Sequence, residues 1–175
     1  MHDYDDFSDG ELLAEFRKSN IDAFKFFYFK YYEKIFRFAA IRTNSTEFAQ
    51  DVAQEAFTRI WNNRQKICIR ISLKAYLYTI VNNLIIKAYH KTQRRDAYCA
   101  QAQMNAPPVF AKQVENRIDF LIAMSKLSEE NRAIFHLKYD EGLTNQEIAA
   151  VYSVSVKAIE KRITKAFRIL RKELL

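Results

Sequence analysis

Glycine and proline are scarce in this chain, two of each in 175 residues, so little in it forces the backbone to break. With Leu, Ile, Phe, Tyr, Lys and Glu abundant, that scarcity implies an almost wholly helical protein. Cysteine is as rare. Cys68 and Cys99 lie far apart without a CxxC spacing, which argues against a cysteine-based zinc site and fits a reduced, cytosolic protein. His2, His90 and His136 are scattered, so no metal site, catalytic pocket or cofactor site is read. No apolar run reaches the ~18 residues of a membrane span. The first residues are acidic rather than basic then apolar, so no signal peptide is read either. Together these absences imply a soluble, cytoplasmic protein with no direct membrane insertion, long enough for one ordinary domain or two small ones.

What is present is charge, unevenly placed. The formal net charge is +7 and the sequence pI about 9.4, which makes a polyanion a plausible partner. Asp3, Asp5, Asp6, Asp9, Glu11 and Glu15 open the chain without a Lys or Arg among them, whereas the end is strongly basic. Thr144, with Glu147 three positions on, forms a capping box that opens a short helix with Ile148, Ala149 and Tyr152 (or Val151) on one face. Ser153-Val154-Ser155 follows, and Ser155 caps a second helix with apolar Val156, Ile159, Ile163, Ala166, Phe167 and Leu170. That layout is a helix-turn-helix. The outer face of its second helix carries Lys157, Lys161, Arg162, Lys165, Arg168, Arg171 and Lys172. A solvated lysine-rich face is the plain alternative, but a capped turn at this distance points to a helix that enters a DNA major groove.

From the beginning, the pattern predicts a capped helix over Ser8–Phe16 and a second one capped by Asn20 or Asp22. In the second, Phe24, Phe27, Tyr28, Tyr31, Ile35 and Phe38 fall on one face, with Phe26, Phe29 and Tyr32 partly round the other side. A third helix over 44–64, capped by Ser45 or Thr46, buries Phe48, Val52, Ala56, Phe57, Ile60 and Trp61. Glu47, Asp51 and Glu55 recur on its opposite face, with Gln50 and Gln54 beside them. Like charges at that spacing cost a few tenths of a kcal/mol each; a solvated acidic face is the plain alternative, but an acidic stripe inside a cationic protein favours a docking surface for a basic partner. Arg64–Ile71 breaks the helical pattern. Ser72 then caps the most regular helix, with Leu73, Tyr76, Leu77, Ile80, Val81, Leu84, Ile85 and Ala88 as its stripe. Its other face carries Lys74, Asn83, Lys87, Lys91 and Arg94, with Tyr78 and Tyr89, which suits phosphates and unpaired bases. Pro107-Pro108 marks a linker before helical pattern returns at Val114. The expected architecture is all-α: two small helical bundles, 1–95 and 114–175, joined by a flexible linker over 96–113.

Two blocks are familiar. Asp51-Val52-Ala53-Gln54-Glu55-Ala56-Phe57 with Trp61, then Ala75-Tyr76-Leu77-Tyr78-Thr79-Ile80-Val81-Asn82-Asn83, resembles region 2 of the sigma-70 family of bacterial sigma factors. Leu127-Ser128-Glu129-Glu130-Asn131-Arg132-Ala133-Ile134-Phe135 and Glu141-Gly142-Leu143-Thr144-Asn145-Gln146-Glu147-Ile148-Ala149 resemble its region 4. Lacking room for region 1 or a full region 3, the chain resembles the compact extracytoplasmic-function (ECF) group. Its Phe/Tyr/Lys-rich style is similar to members from Bacteroidetes-type bacteria. The family's turn often has glycine where Ser153 stands.

The resemblance implies an alternative sigma factor, not an enzyme on its own, that binds core RNA polymerase and directs promoter-specific initiation. It implies that Glu47, Asp51, Gln54 and Glu55 dock on the polymerase. It implies that Asn83, Lys87, Lys91 and Arg94, with Lys66 and Arg70 in the loop before that helix, meet the −10 element of promoter DNA. Glu160, Lys161, Thr164 and Lys165 would read the −35 element, with Lys157 and Arg162 as phosphate clamps. An anti-sigma factor is a further implied partner. Two rival readings compete with this one. An ordinary transcription regulator leaves the acidic stripe and the Asn83/Lys87/Lys91 face unexplained, and a nucleic-acid hydrolase needs a metal pocket that the scattered histidines do not supply.

Overall fold

The computed structural model describes residues 4–69, 71–96 and 116–174, and they hold eight helices and no strand. In chain order these are α1 (Asp9–Arg17), α2 (Ile21–Thr43), α3 (Thr46–Asn63), α4 (Leu73–Asp96), α5 (Asn116–Ser125), α6 (Glu129–Tyr139), α7 (Asn145–Tyr152) and α8 (Val156–Leu174). Of the expected linker, only Asp96 is described, as the end of α4. No described helix is long and apolar enough to cross a membrane.

Local chemistry sets the helix starts. Ser8 and Glu11 form a capping box on α1, and Thr144 and Glu147 form another on α7. Asn20, Ser45 and Ser128 cap α2, α3 and α6 with their side-chain oxygens, each such cap contributing about 1 kcal/mol. Between α7 and α8 the chain reverses through Ser153, which takes the left-handed conformation at φ 53, ψ 42. A residue with a Cβ holds that conformation at a cost of about 1 kcal/mol, offset here by its N–H closing onto the end of α7.

The first four helices close around aromatic rings. Phe27 is fully buried and meets Phe16, Tyr31 and Phe57 at centroid distances of 5.4, 4.9 and 5.8 Å. Phe24 tilts onto Trp61 at 4.9 Å, and Phe38 meets Tyr78 edge-on at 5.2 Å. Phe26 and Tyr32 also pack on this core, whereas Phe29 is 77% exposed.

The second half packs directly on the first: α7 lies on α4 and α6 on α2, and one apolar cluster runs from Leu12 through Val81 to Ile159. This corrects the outer face of α4. The periodicity places Tyr78 outward to meet bases, but its side chain is fully buried. Lys74, expected on the same outer face, donates instead to the Glu141 carbonyl. With α2 and α3 on one side and α7 on another, α4 has a wider buried arc than a single stripe, and Ala75, Tyr78 and Asn82 fall inside it.

Candidate docking and nucleic-acid interfaces

α3 turns Ala49, Val52, Ala53, Ala56, Phe57 and Ile60 inward, which leaves Glu47, Asp51, Gln54 and Glu55 exposed on the opposite side. Glu55 holds Arg59 one turn on at 2.7 Å. Beside the stripe lies a groove of about 250 Å³ between α3 and α4, lined by Phe48, Asp51, Val52, Glu55, Leu84, Lys87 and Ala88. Its wall is apolar, with two carboxylates and one ammonium among its lining groups. A partner helix with an apolar edge and basic flanks fits such a groove. Lys87 thus stands close to the acidic stripe as well as on the α4 face that holds Asn83.

Asn83 and Lys87 are exposed on α4, and Lys66 is exposed in the turn after α3. The side chains of Lys91 and Arg94, though on α4, and the whole of Arg70 lie outside the described residues. Between α3 and α4 the chain buries Ile67 and leaves Cys68 and Ile71 outward. Cys68, Ile71, Ser72, Ala75, Tyr76 and Thr79 line a pocket of about 160 Å³ whose remaining wall is Ala150 of α7. Tyr89 donates its hydroxyl to the Arg42 carbonyl at 2.7 Å, which ties α4 to the end of α2.

α8 buries Ile159, Ala166 and Leu170 and exposes Lys157, Glu160, Lys161, Thr164 and Lys165 along one side. Ser155 accepts the Ala158 N–H at 3.2 Å, so the helix begins at a capped, exposed turn. The Thr164 hydroxyl donates back to the Glu160 carbonyl at 2.9 Å. Arg162 departs from its expected place: it is half-buried and pairs with Glu130 of α6 at 2.8 Å. Phe167, expected inside, is 45% exposed and meets Phe135 and Tyr139 at 5.7 and 5.5 Å. Among the described residues, no group of three or more His, Cys, Asp or Glu could hold a metal ion.

Beside the apolar seam, polar contacts that were not legible in the sequence also join the halves. The Glu141 side chain is 5% exposed and lies 3.4 Å from the Lys34 ammonium and 3.2 Å from that of Lys74. Burial pushes the pKa of the nearby Tyr78 hydroxyl up, and the Glu141 charge adds to that shift. Gly142 follows at φ +69, a conformation that a side chain would strain. Asn82 donates to the Val151 carbonyl at 3.1 Å, and Ser72 donates to the Glu147 carboxylate. Burial pushes the Glu147 carboxyl up, but hydrogen bonds from Ser72 and Thr144, with the Lys74 charge, hold it below its ordinary value.

Known proteins show the same order of parts. Residues 27–95 match the family profile for Sigma-70 region 2, and residues 123–172 match that for Sigma-70, region 4. The chain is 26% identical over 179 residues to the ECF RNA polymerase sigma factor SigW of Bacillus subtilis, covering 93% of this chain and 94% of that one. It is 27% identical to the ECF sigma factor SigL of Mycobacterium tuberculosis, covering 78% and 80%. A probable RNA polymerase sigma factor of Xanthomonas campestris is 31% identical over 142 residues, which are 76% of this chain and 36% of that longer one. Among solved structures, the sigma factor RpoE of Bartonella quintana, held there by the anti-sigma factor NepR, superposes with a TM-score of 0.70 at 21% identity, covering 86% of this chain and 96% of that one. CnrH, bound to the cytosolic domain of CnrY, superposes at 0.65 and 22% identity, covering 95% and 96%. With both regions present in order, and relatives of one group matched along most of its length, the chain belongs to the sigma-70 family, as a transcription-initiation factor of its ECF group.

Proposed function

We propose that the acidic side of α3, the outer side of α4 and the basic side of α8 divide the work of initiation. The exposed stripe Glu47, Asp51, Gln54 and Glu55, beside an apolar groove, docks on core RNA polymerase. Asn83 and Lys87, continued along α4 by Lys91 and Arg94 and before it by Lys66 and Arg70, hold the −10 element as it opens. Lys157, Glu160, Lys161, Thr164 and Lys165 meet the −35 element, and Arg162 joins them as a clamp only by exchanging Glu130 for a phosphate. The chain supplies recognition in the cytoplasm and the polymerase supplies the chemistry. An anti-sigma factor is a further partner in this reading, supported by the superposing sigma factor of Bartonella quintana, which is held by such a protein.

The −10 and −35 elements lie ~25 base pairs apart, roughly 85 Å at ~3.4 Å per pair. A compact chain of this length has a radius of gyration near ~16 Å. With α7 seated on α4, the two DNA surfaces cannot reach both elements together. The halves therefore part at the Glu141 and Asn82 contacts when the promoter is bound. Ala150 also leaves the wall of the loop pocket at that step.

The observation that carries the proposal is the exposed acidic stripe of α3 beside an apolar groove that only Lys87 of the α4 face borders. Run-off transcription with core polymerase on a promoter library tests it. Promoter-specific transcripts are expected with the native chain and lost on joint Asp51→Lys and Glu55→Lys reversal, with the fold retained. Duplex binding by the chain alone, with core polymerase silent on every template, would favour an ordinary regulator.

A further inference from the structure

Four hydrogen bonds tie α1 and the turn after it to residues at either end of the stretch between α3 and α4. Arg17, the last residue of α1, donates from Nη2 to the Ile67 carbonyl at 2.8 Å. Gln65 returns the contact, donating from Nε2 to the Arg17 carbonyl at 2.6 Å. Arg64 donates from Nη2 to the Ser19 hydroxyl at 2.9 Å. At the other end, an Asp9 carboxylate oxygen accepts the backbone N–H of Leu73, the first residue of α4. Residues 64–67 on one side and Leu73 on the other are thus fastened to the two ends of one short helix and the turn after it.

That helix is itself well seated. Leu12, Leu13 and Phe16 are buried, and the Phe16 ring packs edge-on against Phe24 and Phe27 at 5.5 and 5.4 Å. Ser19 takes a left-handed turn at φ 61, with its N–H bonded to the Phe16 carbonyl at 2.9 Å, which sets its hydroxyl under Arg64. At the start of α4 the exposed N–H groups are divided: Ser72 takes that of Ala75 at 3.1 Å, while Asp9 takes that of Leu73 from a distant helix. An anion there is favoured by the helix dipole as well as by the bond. α1 lies wholly outside the residues that match region 2, which begin at 27.

We infer that α1 is a brace for the −10 reading loop, with Arg17 and Asp9 as positioning residues that fix its path without touching DNA. This rests on the reading of that loop and of the α4 outer face given above. The loop lends Cys68 and Ile71 to the pocket wall, so a shift of its backbone changes the pocket's shape. Guanidinium and carboxylate partners suit this work because bonds to charged groups are shorter and more directional than neutral ones.

The test uses the full chain with core polymerase on the promoter it transcribes best. Single substitutions are made across the −10 element, and one set in the −35 element. With Arg17→Ala, the preference for the parent −10 sequence falls by roughly tenfold, within the range of a single base contact. The −35 preference, the affinity for core polymerase and the far-UV melting curve stay as in the native chain. Arg17→Lys, which keeps one donor, recovers part of the preference, and Gln65→Ala reproduces part of the loss. The inference is overturned if Arg17→Ala and Gln65→Ala leave −10 preference intact while Asn83→Ala and Lys87→Ala lower it. It is also overturned if −10 and −35 preferences fall together, which marks general damage. If Asn83→Ala and Lys87→Ala leave it untouched as well, the reading of α4 fails first and the brace with it.

Discussion

The first four helices bury most of their aromatic rings, with Phe29 and Tyr89 as exceptions, whereas the last four carry several of theirs outside, and the contrast shows which half supports the other. Phe16, Phe27 and Phe38 are fully buried in the first half. In the second, Phe120, Tyr139 and Phe167 are 37%, 47% and 45% exposed, and the buried residues are mostly Ala, Leu, Ile and Val. The second half adds to its small core by leaning on α4 and α2, through Asn82, Lys34 and Lys74. An apolar seam, one buried carboxylate, two partly exposed lysines and a few hydrogen bonds hold the halves together.

The largest expected effect lies in the aromatic core. Phe27→Ala should cost about 3–5 kcal/mol in urea unfolding, since its ring meets Phe16, Tyr31 and Phe57 and leaves a cavity none of them can fill. A cost under about 1 kcal/mol would mean that the rings do not carry the first half. Next comes the joint between the halves. Glu141→Lys sets a third cation beside Lys34 and Lys74, and the radius of gyration from X-ray scattering should rise above ~16 Å with helicity unchanged. An unchanged radius would locate the joint elsewhere.

A smaller effect is expected at the turn. Ser153→Gly relieves the left-handed Cβ at φ 53 and should raise stability by about 0.5–1 kcal/mol, read as a melting shift of a few degrees. The smallest is a pH response. Glu147 is held below its ordinary value of 4.5, so its contribution is present above that pH and lost as pH falls through the lower folded value. Glu147→Gln should flatten the melting-temperature profile in that acid window and leave its neutral-side slope unchanged. An identical acid slope in the variant would show that other carboxylates govern it.

The caps were legible because their chemistry is local. Ser8 with Glu11, and Thr144 with Glu147, bond across three residues, and the sequence pattern holds everything they need. The carboxylates of α3 were legible for the same reason: a face opposite an apolar stripe is exposed unless something covers it. Tyr78, Lys74, Asn82 and Arg162 were misplaced or passed over because what covers them is far along the chain. Asn82 meets a residue 69 positions away, Lys74 one 67 away and Arg162 one 32 away. Helical periodicity reports how many faces of a helix are apolar, and an interface built from a tyrosine hydroxyl, an asparagine and a lysine stem escapes it. The ties between α1 and residues 64–73 escaped it likewise, since Arg17 and Asp9 look like ordinary surface charges in a helix.

The most direct test is the distance between the halves, measured by pulsed electron resonance. Spin labels would sit at Lys25 on α2 and Lys172 on α8, both exposed, with Cys68 and Cys99 replaced by serine. One short distance is expected in the free chain, with an increase of tens of ångströms in the complex with polymerase and promoter. A short distance that persists in a complex making transcript would show that the halves stay together.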